Sequence, residues 1–129
     1  MSEEFMKINE IPEVTAEYEN DFIFAVCTFL DEFYHADNDE KEMLLADEPE
    51  KDLLKQRQYC TLAATAHKLA NDYGLDVPEW VMQDKYIMPY PIYAFDTSDF
   101  SDQEFLREVT PNEYKIRNLF SGSNVLKRV

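Results

Sequence analysis

His35 and His67, with Cys27 and Cys60, are the only histidines and cysteines in this chain of 129 residues. They are the side chains best suited to acid–base, nucleophilic or metal chemistry, and their spacing matches none of the usual arrangements. There is no His-Glu-x-x-His to set two imidazoles on one helix face, no Cys-x-x-Cys, and no Gly-x-Ser-x-Gly elbow. A ribonuclease pattern of Arg-x(4–6)-His would need, from Arg57, a histidine at 62–64, where Leu62, Ala63 and Ala64 stand. His67 lies among alanines, which suits a packed imidazole better than a ligand. Asp37, Asp39 and Glu48 fall at positions one, three and twelve of a calcium loop, but Glu42 replaces the glycine of its sharp turn and Lys41 takes a ligand position. A solvated acidic linker is the expectation there. Gly74 and Gly122 are the only glycines, too few for a phosphate loop or a dinucleotide fingerprint. The sequence therefore assigns no catalytic residue, no cofactor and no metal ligand.

What remains is charge. With 27 acidic and 12 basic side chains the formal charge is −15, a field that repels DNA, RNA and anionic membrane alike. Residues 1–60 hold 17 acids and 5 bases (net −12), while 61–129 hold 10 and 7 (net −3). Residues 31–52 alone have ten acids against Lys41 and Lys51. Residues 111–129 turn to +3, through Lys115, Arg117, Lys127 and Arg128 against Glu113. That basic tail either lies against the acidic body or leaves the body to meet a partner. A dense acidic face steers basic proteins, so the expected partner is a basic protein, with no direct nucleic acid and no membrane. The expected contact residues are the carboxylates Asp31, Glu32, Asp37, Asp39 and Glu40, joined by Trp80, Tyr90 and Tyr93 from an aromatic stretch. A homodimer through an exposed helix face stays open, although no heptad seam runs far. Two other classes also stay open: a DNA mimic, if carboxylates follow helical pitch, and an enzyme whose site is scattered in sequence, for which a pocket holding His35 or His67 beside a carboxylate is required.

The elements that must position these residues read as helical. Residues 1–14 form a mixed acidic arm, expected to be loosely ordered. Tyr18, Phe22, Ala25, Val26, Phe29, Leu30 and Phe33 recur at steps of three and four, which predicts one helix over 16–35 with Thr15 as N-cap. Met43, Leu44 and Leu45 suggest a short helical turn inside the acidic stretch. Asp47-Glu48-Pro49 predicts the start of a second long helix, running to Tyr73 and closed by Gly74 with Leu75 behind it. Its small residues, Ala63-Ala64-Thr65-Ala66, are where the first helix is expected to dock. A shorter helix is predicted over 76–85. An extended, aromatic and proline-rich connector follows over 86–100, either a binding surface or a cap on the core. Ser101-Asp102-Gln103-Glu104 reads as a capping box opening a helix to Val109, and Thr110-Pro111 as the start of another to Phe120. Arg117 and Asn118 are expected to bond the turn at 121–124, sealing Leu119, Phe120, Val125 and Leu126 on the core. The expected fold is all-α: a single-domain bundle of two long helices and three or four short ones.

The location expected is cytoplasmic. The cysteines sit in apolar stretches and read as reduced core thiols. The start is acidic where a leader would be basic then apolar. The longest nearly apolar run, 22–30, falls well short of the roughly 20 residues of a spanning helix.

The order Leu69-Ala70, Gly74-Leu75, Pro78-x-Trp80, a proline-containing aromatic connector, Thr110-Pro111, Arg117-Asn118-Leu119-Phe120 and Asn124-x-Leu126-x-Arg128 covers residues 66–129. In that succession the chain resembles a group of small bacterial helical proteins associated with mobile or toxin–antitoxin-like loci, sometimes joined to a helix-turn-helix. The resemblance implies an antitoxin- or immunity-like role and carries no catalytic residues. The first 60 residues depart from the fused forms, being too acidic for a DNA-reading domain.

Overall fold

The computed structural model describes residues 5–123 and Leu126. The chain is mostly helical: α1 (Ile11–Glu17), α2 (Phe22–His35), α3 (Asn38–Leu45), α4 (Gln56–Asp72), α5 (Phe100–Val109) and α6 (Asn112–Lys115). Among the described residues one pair of two-residue strands, β1 (Ile92–Tyr93) and β2 (Leu119–Phe120), runs parallel with Ile92 opposite Leu119. No helix among the described residues is long and apolar enough to cross a membrane.

The long helix expected over 16–35 is broken. Glu19 and Asn20 take the left-handed conformation, at φ 59° and 62°, and Asp21 restarts the helix by accepting a hydrogen bond from the Phe24 amide at 2.9 Å. Asparagine tolerates that conformation and aspartate is a strong N-cap. The break lets α1 turn back and pack along α2. Thr15, expected as the cap, lies inside α1 and donates its hydroxyl to the Ile11 carbonyl at 2.8 Å. The expected loose arm is also corrected over residues 5–14. Ile8, in a 3-10 turn, and Ile11 are fully buried, and the Met6 amide is tied to the Glu32 carboxylate at 2.7 Å. The arm's first four residues lie outside the described residues.

The second long helix starts at Gln56, nine residues after the expected Asp47. The stretch before it is held out of helix, with bends over 51–54, by side chains from elsewhere. Glu48 is engaged by Gln83, Lys85 and Tyr86, and the Tyr59 hydroxyl donates to the Glu50 carbonyl and accepts from the Leu53 amide. The helix ends as expected. Gly74 is left-handed at φ 67°, and the Leu75 amide reaches back to the Ala70 carbonyl at 2.8 Å, which satisfies an end carbonyl that would otherwise be orphaned. Ala63, Ala64, Thr65 and Ala66 are buried. The close approach they permit is used by α6 and by the 3-10 turns at Glu79–Met82 and Asp84–Tyr86, rather than by α2. Those two turns replace the helix expected over 76–85.

The connector is partly a cap and partly surface. Tyr86 and Met88 are buried, while Tyr90 and Phe95 face solvent. Asp99, not Ser101, caps α5, accepting from the Asp102 amide at 3.0 Å. The last helix stops at Lys115, because Asn118 goes left-handed at φ 62° and delivers Leu119 and Phe120 to the strand pair. Leu126 closes on the core, and its carbonyl accepts from the Tyr34 hydroxyl at 2.7 Å. Asn124, Val125, Lys127 and Arg128 lie outside the described residues, and with them part of the expected basic tail.

Candidate functional site

Both histidines are engaged with their own chain. His35 is exposed, with Nδ1 against the Asp31 carbonyl at 2.7 Å. His67, on α4, is half-buried and meets Arg117 Nη1 at 3.2 Å through Nδ1. A guanidinium only donates, so Nδ1 accepts and the imidazole is neutral with its proton on Nε2. Burial, then the Arg117 charge, pushes the His67 pKa below its usual value, with Glu113 opposing. The Glu113 carboxylate is bonded to Asn71 Nδ2 at 2.8 Å. Cys60 lies nearby with its thiol pushed up to about 11 by burial, against the pull of Arg117, so at neutral pH it is a packed hydrophobe and a poor nucleophile.

The cation at this centre is the largest fully buried side chain among the described residues. Arg117 Nη1 donates to the Glu113 carbonyl at 2.6 Å and Nη2 to the Val81 carbonyl at 2.7 Å. Its neighbour Asn118 donates to the Met88 carbonyl at 2.7 Å, and the Met88 amide returns a bond to the Arg117 carbonyl at 3.1 Å. Sequence reasoning directed this pair to the turn at 121–124. In the fold they bind the segment 81–88 instead, clamping it between α4 and α6. The chemistry of this arrangement is structural, a charge whose donors are spent on carbonyls.

A pH dependence follows from His67. Its neutral form is favoured by folding, so the unfolded chain binds that proton more tightly. Folding stability is untouched well above pH 6.5 and falls as the pH drops below about 6.5 toward the depressed folded-state value. Chemical denaturation across this range should show a steeper loss for the wild type than for His67→Gln. Equal slopes would contradict the assignment.

Glu48 gathers Tyr86 Oη, Gln83 Nε2 at 3.0 Å and Lys85 Nζ at 2.9 Å. Burial alone would raise its pKa, but the donors from Tyr86, Lys85 and Gln83 outweigh burial and lower it. The calcium-loop residues do not converge: Asp37 caps α3, Asp39 is exposed and Glu48 is held by Lys85. Among the described residues, no group of three His, Cys, Asp or Glu side chains is placed to hold a metal ion. Lys41, the cation inside the acidic stretch, is buried, donates to the Ala36 carbonyl at the end of α2 and lies 4.9 Å from the Tyr73 ring centroid.

The expected contact residues divide. Asp31, Asp37 and Asp39 are exposed. Glu32 is committed to the Met6 amide, and Glu40 and Asp37 form a capping box at α3, with the Glu40 amide on Asp37 Oδ1 at 2.9 Å. Trp80 is 7% exposed; its indole donates to the Leu45 carbonyl at 3.0 Å and meets the Tyr86 ring edge-on. Tyr93 stacks on Phe120 with centroids 5.1 Å apart. Trp80 serves the protein's own core, and Tyr93, half-buried, is engaged by the Phe120 ring. Tyr90, 60% exposed, stays at the surface.

Two surface regions mix apolar side chains with carboxylates. At the α1–α2 corner, Tyr18 and Phe24 pair with ring centroids 5.2 Å apart and line a cleft of 430 Å³ with Glu17, Glu19 and Asp21. Beyond β1, Phe95, Phe100 and Phe105 are 99%, 72% and 61% exposed, in a stretch that also carries Asp96, Asp99, Asp102, Glu104 and Glu108. Between the two regions lies a cleft of 530 Å³ lined by Ile23, Lys55, Arg57, Ile92 and Ala94 among others. Sequence reasoning had Phe95 within the aromatic connector and did not single out Phe100 or Phe105. The available signal for those two was their position on the flanks of the stripe Gln103, Leu106 and Val109, the half-buried face of α5. Comparison of the chain with family models, curated proteins and solved structures finds no match.

Proposed function

We propose that this chain is an acidic binding protein that docks on, or neutralises, a more basic protein, its concrete form being an antitoxin- or immunity-like role. The observation that carries the reading is the mixture of large exposed apolar side chains with carboxylates on a body of net charge −15. A solvated acidic face has no need of exposed phenyl rings, whereas an interface uses charge to steer encounter and rings to hold the complex. Ion pairs in the fold include Lys7–Asp47, Arg57–Asp96, Lys68–Asp72 and Lys85–Glu48, and with 27 acidic side chains against 12 basic ones the chain carries more carboxylates than its own cations can pair. Co-purification from the native host should recover a protein of basic pI, and charge reversal at exposed positions such as Glu17, Glu104 and Glu108 should weaken the complex. Recovery of the chain alone, or a complex indifferent to charge reversal, would contradict the proposal.

A further inference from the structure

The connector and α5 are built in a way that their internal contacts do not explain. None of the ten residues of α5 is buried; the helix is held at one edge, where the Gly122 amide bonds Thr110 Oγ1 at 2.9 Å and Gln103 Nε2 reaches the Thr97 carbonyl at 3.0 Å. At 100° per residue, the half-buried Gln103, Leu106 and Val109 mark the inner side. Glu104 and Glu108 then stand on the outermost ridge, with Phe100 on one flank and Phe105 on the other. Arg107, the only cation of this stretch, is drawn over the Tyr93 and Phe120 rings, 5.4 and 5.1 Å from their centroids. The outward ridge is left with carboxylates as its only charges.

Just before the helix, Phe95 and Asp96 are both left-handed, at φ 58° and 51°. For a bulky non-glycine residue this conformation costs on the order of 1–3 kcal/mol, and here it delivers a phenyl ring that is 99% exposed to water. Asp96 is tethered by Arg57 at 3.3 Å. Among the described residues, none of the three phenyl rings makes a ring–ring contact, in contrast to the paired Tyr18 and Phe24. Together they expose on the order of 400 Å² of surface, divided between the Phe95 turn and the two flanks of α5.

We infer that α5 with the Phe95 turn is the docking element, an acidic helix that lays its Glu104–Glu108 ridge against Lys or Arg side chains in a groove of a cationic protein, while Phe100 and Phe105, one on each flank, seat against the apolar walls on either side. The partner's groove is about 15 Å long, the length of ten helical residues. This inference rests on the acidic-binder reading and adds where the contact lies and what it recognises.

The test uses defined probes on the full chain: a helical peptide with one leucine face and one lysine face, a lysine/serine peptide of equal charge, and a glutamate/leucine peptide. Binding is measured at about 0.15 M salt, where charges more than about 8 Å apart are screened. The lysine/leucine peptide should bind best, and Phe100→Ala with Phe105→Ala should weaken it about tenfold or more. Glu104→Gln with Glu108→Gln should weaken it and flatten its salt dependence, while Asp37→Asn with Asp39→Asn, which keeps the α3 cap, changes it less than about twofold. Equal binding of the lysine/serine peptide, or binding of the glutamate/leucine peptide, would overturn the inference. If the cationic peptides bind but only the Asp37/Asp39 variant weakens them, the docking element is elsewhere and the acidic-binder reading stands. If no cationic peptide binds, both fall. Circular dichroism and Trp80 emission confirm that each variant is folded.

Discussion

Arg117→Ala will lower the unfolding free energy by about 3–5 kcal/mol, the largest effect expected of any single substitution at a polar position. Arg117 is 2% exposed and its guanidinium holds the Val81 and Glu113 carbonyls. A charge-assisted hydrogen bond contributes about 1.5–3 kcal/mol, and truncation also leaves both carbonyls unpaired around a new cavity. Arg117→Lys keeps the charge but loses the fork, since one ammonium cannot reproduce two divergent donors held by a planar group. It should fall between the wild type and alanine. The readout is denaturant unfolding followed by Trp80 emission, well placed because Val81, bonded to Arg117, is the next residue in the chain and Trp80 is the only tryptophan. A loss below about 1 kcal/mol for Arg117→Ala would show that the clamp on 81–88 is dispensable.

Trp80→Ala should cost a comparable amount, about 3–5 kcal/mol, whereas Trp80→Phe should cost about 1–2 kcal/mol. The difference separates the two jobs of the side chain. Its ring fills the space beside Tyr86, with centroids 5.6 Å apart, and phenylalanine replaces most of that volume. Its indole N–H pairs with the Leu45 carbonyl at the end of α3, and phenylalanine leaves that carbonyl unpaired. Thermal melts by circular dichroism measure the first; amide hydrogen exchange in α3, which should quicken in both variants, measures the second. Unchanged exchange in α3 would mean that Trp80 does not anchor that helix.

What the sequence made legible was local. The Gly74 end of α4, the short helix around Met43-Leu44-Leu45 and the burial of Ala63 to Ala66 follow from turn chemistry and residue size, and all three stand in the structure. The break at Glu19-Asn20 was hidden because apolar spacing continues across it. Val14 and Thr15 of α1 face the same core as Ala25 and Phe29 of α2, so the stripe has no gap to show. The late start of α4 was hidden because Glu48 and Glu50 answer to Tyr86, Lys85 and Tyr59, partners that local capping rules cannot see. Arg117 was misplaced for the same reason, since Val81 and His67 are 36 and 50 residues away. Trp80 and Tyr93 were expected as contact residues because aromatics mark interfaces, with the connector open between binding surface and core cap. In the fold Trp80 is buried against Tyr86, and Tyr93, half-buried, stacks on Phe120. Among the rings left outside are Phe95, Phe100 and Phe105, and only knowledge of which side of α5 faces the body distinguishes Phe100 and Phe105 from core residues.

The most direct measurement is the salt dependence of affinity between this chain and the basic protein it retains from its host. If a negatively charged exterior does the recognising, the dissociation constant should rise about tenfold or more between about 0.05 and 0.5 M salt, with the association rate carrying much of the change. An affinity that stays flat across that range, or a retained molecule that is itself acidic, would contradict the account.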